Sequence, residues 1–132
     1  MSIERIFPNH TPSPRGAYSP AVRAGDFIYV SGQGPIDPAT DKLSPGDIKH
    51  QTALTLGNVR AILEACGATT NDVVKCSVFL RDAGEFHQMN EVYAQFFGEH
   101  RPARTTVEAK FHSADMRVEI DCVAYKPPQD QL

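Results

Sequence analysis

The sequence predicts an α+β domain in which one β-sheet carries two helices on a single face. Three observations point there. Two segments place apolar residues at spacings of three and four, Leu56-Val59-Leu63-Cys66 and Phe86-Met89-Tyr93-Phe96-Phe97, which are the stripes of two amphipathic helices. Three others, Val74 to Leu80, Arg104 to Phe111 and Met116 to Tyr125, alternate with the period of half-buried strands. The 132 residues amount to one domain, 1–132, too short for a separate cofactor module. Folding at this size buries roughly two-thirds of the unfolded surface, so the core stands without metal or disulfide.

Along the chain, Ser2 to Phe7 alternates weakly and gives way to a Pro/Ser/Gly-rich loop from Pro8 to Pro20. Ala21–Ala24 and Phe27–Ser31, parted by Gly25-Asp26, read as a hairpin that Gly32-Gln33-Gly34-Pro35 ends. Asp37-Pro38 through Gly46 reads as loop. Ser44-Pro45-Gly46-Asp47 marks the first helix start, with Ser44 as cap and Pro45 where a missing N–H is harmless; Gly67 ends that helix. Val74, Cys76, Val78 and Leu80 then oppose Lys75, Ser77, Phe79 and Arg81. Asp82 to Glu85 caps the second helix, and Gly98 closes it.

After Pro102, Thr105, Val107, Ala109 and Phe111 form one strand face, leaving Arg104, Thr106, Glu108 and Lys110 on the exposed one. In the last strand Met116, Val118, Ile120, Cys122 and Ala124 oppose Arg117, Glu119, Asp121, Val123 and Tyr125. With His112-Ser113-Ala114-Asp115 between these strands, a hairpin is the simplest connection. Two helices leave the second sheet face bare, and its mixed side chains suit water or a partner subunit, which makes an oligomer the expectation.

Composition narrows the function classes. Thirteen Lys+Arg against sixteen Asp+Glu give a charge of -3, and no two basic residues are adjacent, so neither a nucleic-acid groove nor an anionic-membrane patch is favoured. No apolar run approaches the roughly 20 residues of a membrane helix, and the N-terminus lacks a secretory signal, so the expected location is the cytoplasm. Cys66, Cys76 and Cys122 read as small buried hydrophobes, and the five scattered histidines have no metal-ligand spacing; no metal or cofactor is expected.

Six residues are candidates for chemistry. Arg104 either pairs with a surface acid or forks a substrate carboxylate. Glu119 is either a solvated strand acid or the acceptor that orients a water. Asn90, at the edge of the second helix stripe, is a structural amide or a ligand contact. Tyr18, among the small residues Gly16-Ala17 and Ser19-Pro20, packs over the sheet edge or lines a pocket. Ser31 bonds a ligand or caps its turn, and Thr106 shares the parity of Arg104. No Ser-His-Asp triad is supported, and Gly32-Gln33-Gly34 is no phosphate loop.

Gly16-Ala17-Tyr18-Ser19-Pro20-Ala21, Tyr29-Val30-Ser31-Gly32-Gln33, Asn90-Glu91-Val92-Tyr93, Pro102-Ala103-Arg104-Thr105-Thr106-Val107-Glu108 and Val118-Glu119-Ile120-Asp121 together closely resemble the RidA, or YjgF, family of imine deaminases. The resemblance runs in order over nearly the whole chain. It implies a chorismate-mutase-like single mixed sheet with two helices on one face, assembled as a homotrimer with clefts between subunits. It also implies cofactor-independent hydrolysis of small 2-imino and enamino acids, such as 2-iminopropanoate and 2-iminobutanoate, to 2-oxo acids and ammonia. By position, Arg104 would clamp the carboxylate and Glu119 orient the water; Tyr18, Ser31 and Asn90 would line the pocket, with backbone at Thr106 touching substrate. Many of the closest family members carry Cys where this chain has Thr106, which puts the preferred substrate side chain in question. Two other functions stay open: a pathway-specific enamine deaminase with an aminomuconate-type substrate, and a non-catalytic regulator that binds small metabolites.

Overall fold

Within residues 2–129, which the computed structural model describes, the periodicities of the sequence become ten main elements. These are β1 (Ile3–Ile6), β2 (Ala21–Ala24), β3 (Phe27–Gln33), β4 (Ile36–Asp37), β5 (Lys42–Leu43), α1 (Ile48–Ala65), β6 (Val73–Leu80), α2 (Phe86–Phe97), β7 (Ala103–Glu108) and β8 (Val118–Tyr125). Six strands form one mixed sheet in the order β1-β2-β3-β8-β6-β7. All neighbours are antiparallel except β6 and β7, which run parallel. Alternate residues of the central strands, among them Ile28, Val30, Cys76, Val78, Ile120 and Cys122, meet Leu56, Val59, Leu63, Met89 and Phe97 of the helices in one core. Gly67 (φ 83°) and Gly98 (φ 65°) end the helices at positive φ, where glycine is favoured.

The structure differs from the sequence reading at several places. First, β7 and β8 form no hairpin. The chain crosses from β6 through α2 to the parallel β7, then returns to insert β8 between β3 and β6. Val118, Ile120, Cys122 and Ala124 are each at most 2% exposed, and a strand so buried on one side belongs at the sheet centre beneath a helix. Second, Asp47 caps α1, its Oδ1 accepting from the His50 N–H at 2.9 Å. Ser44 lies four residues before Ile48, outside the cap position, and its hydroxyl is engaged with the His50 ring. Third, a register shift between Val73 and Lys75 turns Val73 inward and leaves Val74 exposed. Fourth, the loop from Asp37 holds the two-residue ladder of β4 and β5, turned by Asp41 at φ 61°.

Two buried polar side chains of α1 tie the functional loops to the core. Gln51 donates to the carbonyls of Asp115 (2.8 Å) and Gly46 (3.2 Å) and accepts from the Arg117 N–H (2.7 Å), which sets where β8 begins. Asn58 donates to the carbonyls of Gly34 and Ile36. The face without helices carries Phe27, Tyr29, Val107 and Tyr125, all exposed, with Phe27 and Tyr125 edge-on at 5.3 Å. It is more apolar than the sequence reading expects.

Gln51→Leu strands two carbonyls and one N–H inside the protein, so urea denaturation should show a loss of about 1–3 kcal/mol. A loss under about 0.5 kcal/mol, the usual range of a surface substitution, would mean that these bonds do not anchor the loop.

Candidate functional site

Period-two alternation along β8 sends Glu119 to the open face, since its neighbours Val118 and Ile120 are in the core. It lies opposite Phe79 on β6 and, on its other side, against the irregular end of β3, where the register shifts between Val30 and Gln33. That irregularity contains Ser31 and Gly32. A Cβ at position 32 would overlap Oε2 of Glu119 and sit 2.9 Å from its Cδ, so only glycine lets the carboxylate lie against this backbone. The Ser31 hydroxyl donates to the Ser19 carbonyl at 2.6 Å and its N–H to Pro20, which pins the Gly16–Pro20 loop to the sheet. Tyr18 is exposed, and its hydroxyl accepts from the Arg15 N–H at 2.9 Å. Tyr18, Gly32 and Glu119 line a cleft of about 620 Å3, together with residues from loops 12–15 and 110–116. Arg81 braces the second loop: its guanidinium donates to the carbonyls of Met116 and Ser113 and lies over the Phe111 ring.

The other candidates gather on the opposite face. In the parallel register Arg104 lies beside Cys76 and Thr106 beside Val78, both core positions. This reverses the parity expected from the sequence: Arg104 and Thr106 are half-buried toward the helices, and Val107 is on the open face. The physical reason is that β7 is an edge strand whose helix side meets polar groups of α2. Arg104 Nη1 donates to Asn90 Oδ1 at 2.7 Å, and the guanidinium lies over the rings of Tyr93 (4.7 Å) and Phe86 (5.4 Å). Arg104 makes no salt bridge among the described residues. Its fixed guanidinium retains donors for a ligand. The hydroxyls of Tyr93 and Thr106 are buried without a hydrogen-bond partner. Burial, with the Cys76 thiol beside it, pushes the Tyr93 proton affinity far up, so the phenol stays neutral.

One chain therefore holds two half-sites: Tyr18, Ser31 and Glu119 on the open face, and Asn90, Arg104 and Thr106 beneath α2. Arg104 and Glu119 are separated by two strands laterally and three residues lengthwise, about 14 Å between backbones by sheet spacings. No small molecule bridges them within one copy. Sequence reasoning missed Phe86 and Tyr93 as partners of Arg104, assigning both to the core. Their spacing from Asn90, four residues before and three after, was the available signal. It also missed Gly32, whose role exists only because Glu119 is folded against it. Among the described residues no group of three or more His, Cys, Asp or Glu could hold a metal ion, and no helix is long and apolar enough to cross a membrane.

A family model described as endoribonuclease L-PSP, the YjgF/RidA/RutC family, matches residues 8–126. The chain belongs to this family. A RutC family protein of Pyrococcus horikoshii is 50% identical over 93% of this chain and 98% of its own length. The 3-aminoacrylate deaminase RutC of Acinetobacter baylyi is 38% identical over 95% of this chain and 99% of its own. The crystal structure of Escherichia coli TdcF with bound serine superposes with a TM-score of 0.86 at 36% identity, covering 93% of this chain and 98% of that one. Two helices on one face of a mixed sheet is thus the fold of the RidA family here as well.

Within this RidA-family fold Glu119 is electrostatically unusual. Burial, with Asp121 two residues on as a lesser cause, raises its carboxyl above its ordinary value, and among the described residues no hydrogen bond to its side chain offsets that. For an acid whose folded pKa is raised, the folded state is penalised at pH above that pKa and not below the unfolded one. Glu119→Gln should therefore raise the melting temperature at neutral pH, with the gain fading as pH falls through about 4. Thermal melts from pH 4 to 8 check this, and a gain independent of pH would refute it.

Proposed function

We propose that this chain hydrolyses small 2-imino and enamino acids to 2-oxo acids and ammonia, in clefts that each combine two copies of a homotrimer. The observation that carries the reading is the placement of Arg104 and Glu119 on opposite faces of one sheet, each suited to one half of that chemistry. The exposed aromatic residues of the open face supply a surface for the assembly, since a patch of that kind is rarely left to water. The match to a relative named 3-aminoacrylate deaminase and to a structure that binds serine supports a small carboxylate-bearing substrate. The charge of -3 without a basic stripe weighs against RNA.

In this reading Arg104, held by Asn90 and the two rings, forks the substrate carboxylate of a neighbour's cleft. Glu119 of that neighbour accepts a hydrogen bond from a water placed at the imine carbon. Water adds to C2 while Glu119 takes one of its protons and passes it to the imine nitrogen, giving a tetrahedral carbinolamine. Glu119 then takes the carbinolamine hydroxyl proton and delivers it to the nitrogen as the C–N bond breaks, so ammonia leaves and the carbonyl of the 2-oxo acid remains. A carboxyl whose proton affinity is raised by burial is well matched to take and return a proton. Tyr18 and Ser31 shape the wall, and backbone at Thr106 meets the substrate beside Arg104. Holding an already electrophilic imine next to a positioned water supplies proximity, which is most of what this reaction needs.

The test is ammonia release from enzymatically generated 2-iminopropanoate. Arg104→Ala and Glu119→Gln alone should each lower kcat/KM by about 100-fold or more. Refolded as a mixture in equal amounts, they should recover about a quarter of wild-type activity, because random trimers rebuild that share of clefts with both residues intact. No recovery on mixing would show that each site lies within one chain. Release no faster than the spontaneous rate by the wild type, together with tight binding of 2-oxo acids, would make the protein a metabolite-binding regulator instead.

A further inference from the structure

In one copy, before a neighbour's Arg104 edge closes on it, the cleft around Glu119 has more room than a three- or four-carbon substrate fills. Its volume of about 620 Å3 falls among pockets that bury drug-sized ligands, roughly 300–1000 Å3. Its charges are also unbalanced. Among the described residues of the wall Glu119 is the one acid, against the cations Arg15 and Lys110, and His112 lines the same wall. Arg15 is already engaged: its Nη1 lies 3.1 Å from Asp41 Oδ1, and the same guanidinium binds the carbonyls of Ser13 and Asp41. Lys110 makes no hydrogen bond and no ion pair among the described residues.

The backbone that carries Lys110 is nonetheless well anchored. The preceding Ala109 N–H donates to the Leu80 carbonyl at 2.8 Å, continuing the sheet, and the following Phe111 ring lies under the Arg81 guanidinium at 5.6 Å. An unpaired ammonium on an anchored backbone, in the wall of a cleft whose carboxylate clamp is Arg104 from elsewhere, has only Glu119 in that wall to answer it when the substrate carries a single carboxylate. An ammonium is a compact point charge that accepts an anion from several directions, so it suits a second, variably placed carboxylate.

Resting on the deaminase reading above, we propose that the preferred substrate is an imino or enamino acid bearing a second carboxylate, and that Lys110, with His112 at the same wall, determines this specificity. Arg104 takes the carboxylate next to the imine, as in the simpler substrates. Lys110 takes the distal one and discriminates by differential binding, since a neutral side chain leaves it unpaired.

Two substrates generated by amino-acid oxidases decide this, 2-iminoglutarate and 2-iminopropanoate, with ammonia release as the readout. The wild type should favour the dicarboxylate in kcat/KM by about tenfold or more; Lys110→Ala should lower that ratio about tenfold, mainly through KM, and Lys110→Arg should retain it. A wild type that does not favour the dicarboxylate, or a ratio unmoved by Lys110→Ala, overturns the proposal. If the wild type releases no ammonia from either, the deaminase reading is what fails, and calorimetric titration with 2-oxoglutarate and 2-oxobutanoate then decides. About tenfold tighter binding of the dicarboxylate, lost in Lys110→Ala, supports the assignment of Lys110, and equal affinities overturn it.

Discussion

The central position of β8 is the constraint on which the rest of the molecule depends. The strand is paired on both edges, and four of its side chains lie in the core, where burying a residue such as Ile120 or Val118 contributes about 1.5–3 kcal/mol. Because a strand has period two, packing those four inward obliges Glu119 to point outward. A slip of one residue would drive its carboxylate into the helices. The register is held further by Gln51, whose carbonyl oxygen receives the Arg117 N–H just before the strand, and by Gly32, which makes room for the carboxylate. The position of the acid is therefore a by-product of hydrophobic packing.

The β7 edge of the sheet is built on another principle. Arg104 lies on the helix side of β7, where a cation without partners would be costly to cover. Helix α2 resolves this with Asn90 at hydrogen-bond distance and two aromatic faces nearby, so the guanidinium is oriented without being neutralised. The ends of the helix are tied down as well, through Arg117 to Glu85 at the start and His100 to the Val73 carbonyl after its end. A cation aimed from one sheet edge and an acid aimed from the opposite face share no space within a copy. In the proposed trimer the two defects, a half-buried acid without a donor and an arginine without a counter-ion, are complementary. Association then supplies substrate binding and relief of both.

Much of the architecture is legible along the chain because helix and strand periods are local. The stripes of α1 and α2, the hairpin turned at Gly25, and the closures at Gly67 and Gly98 follow from spacing and backbone chemistry. The pairing of β8 between β3 and β6 does not, since proximity along the chain favours a hairpin with β7 and only the competition for burial reverses it. Ser44 and Asp47 show the same limit at smaller scale. Both are good caps, and the role falls to Asp47 because the helix begins directly after it, at Ile48.

For the site, the sequence alone determined identities: a guanidinium, a carboxylate, an amide and hydroxyls in an order that resembles one family. It also determined that no global positive charge would draw a large anion. The tertiary structure decided faces. Alternation says that Arg104 and Thr106 share a side, but which side is covered depends on where α2 lands, and the apolar Val107, Ala109 and Phe111 pointed the wrong way. That choice is non-local, because a strand residue becomes inward or outward only when a helix from elsewhere in the chain packs over it.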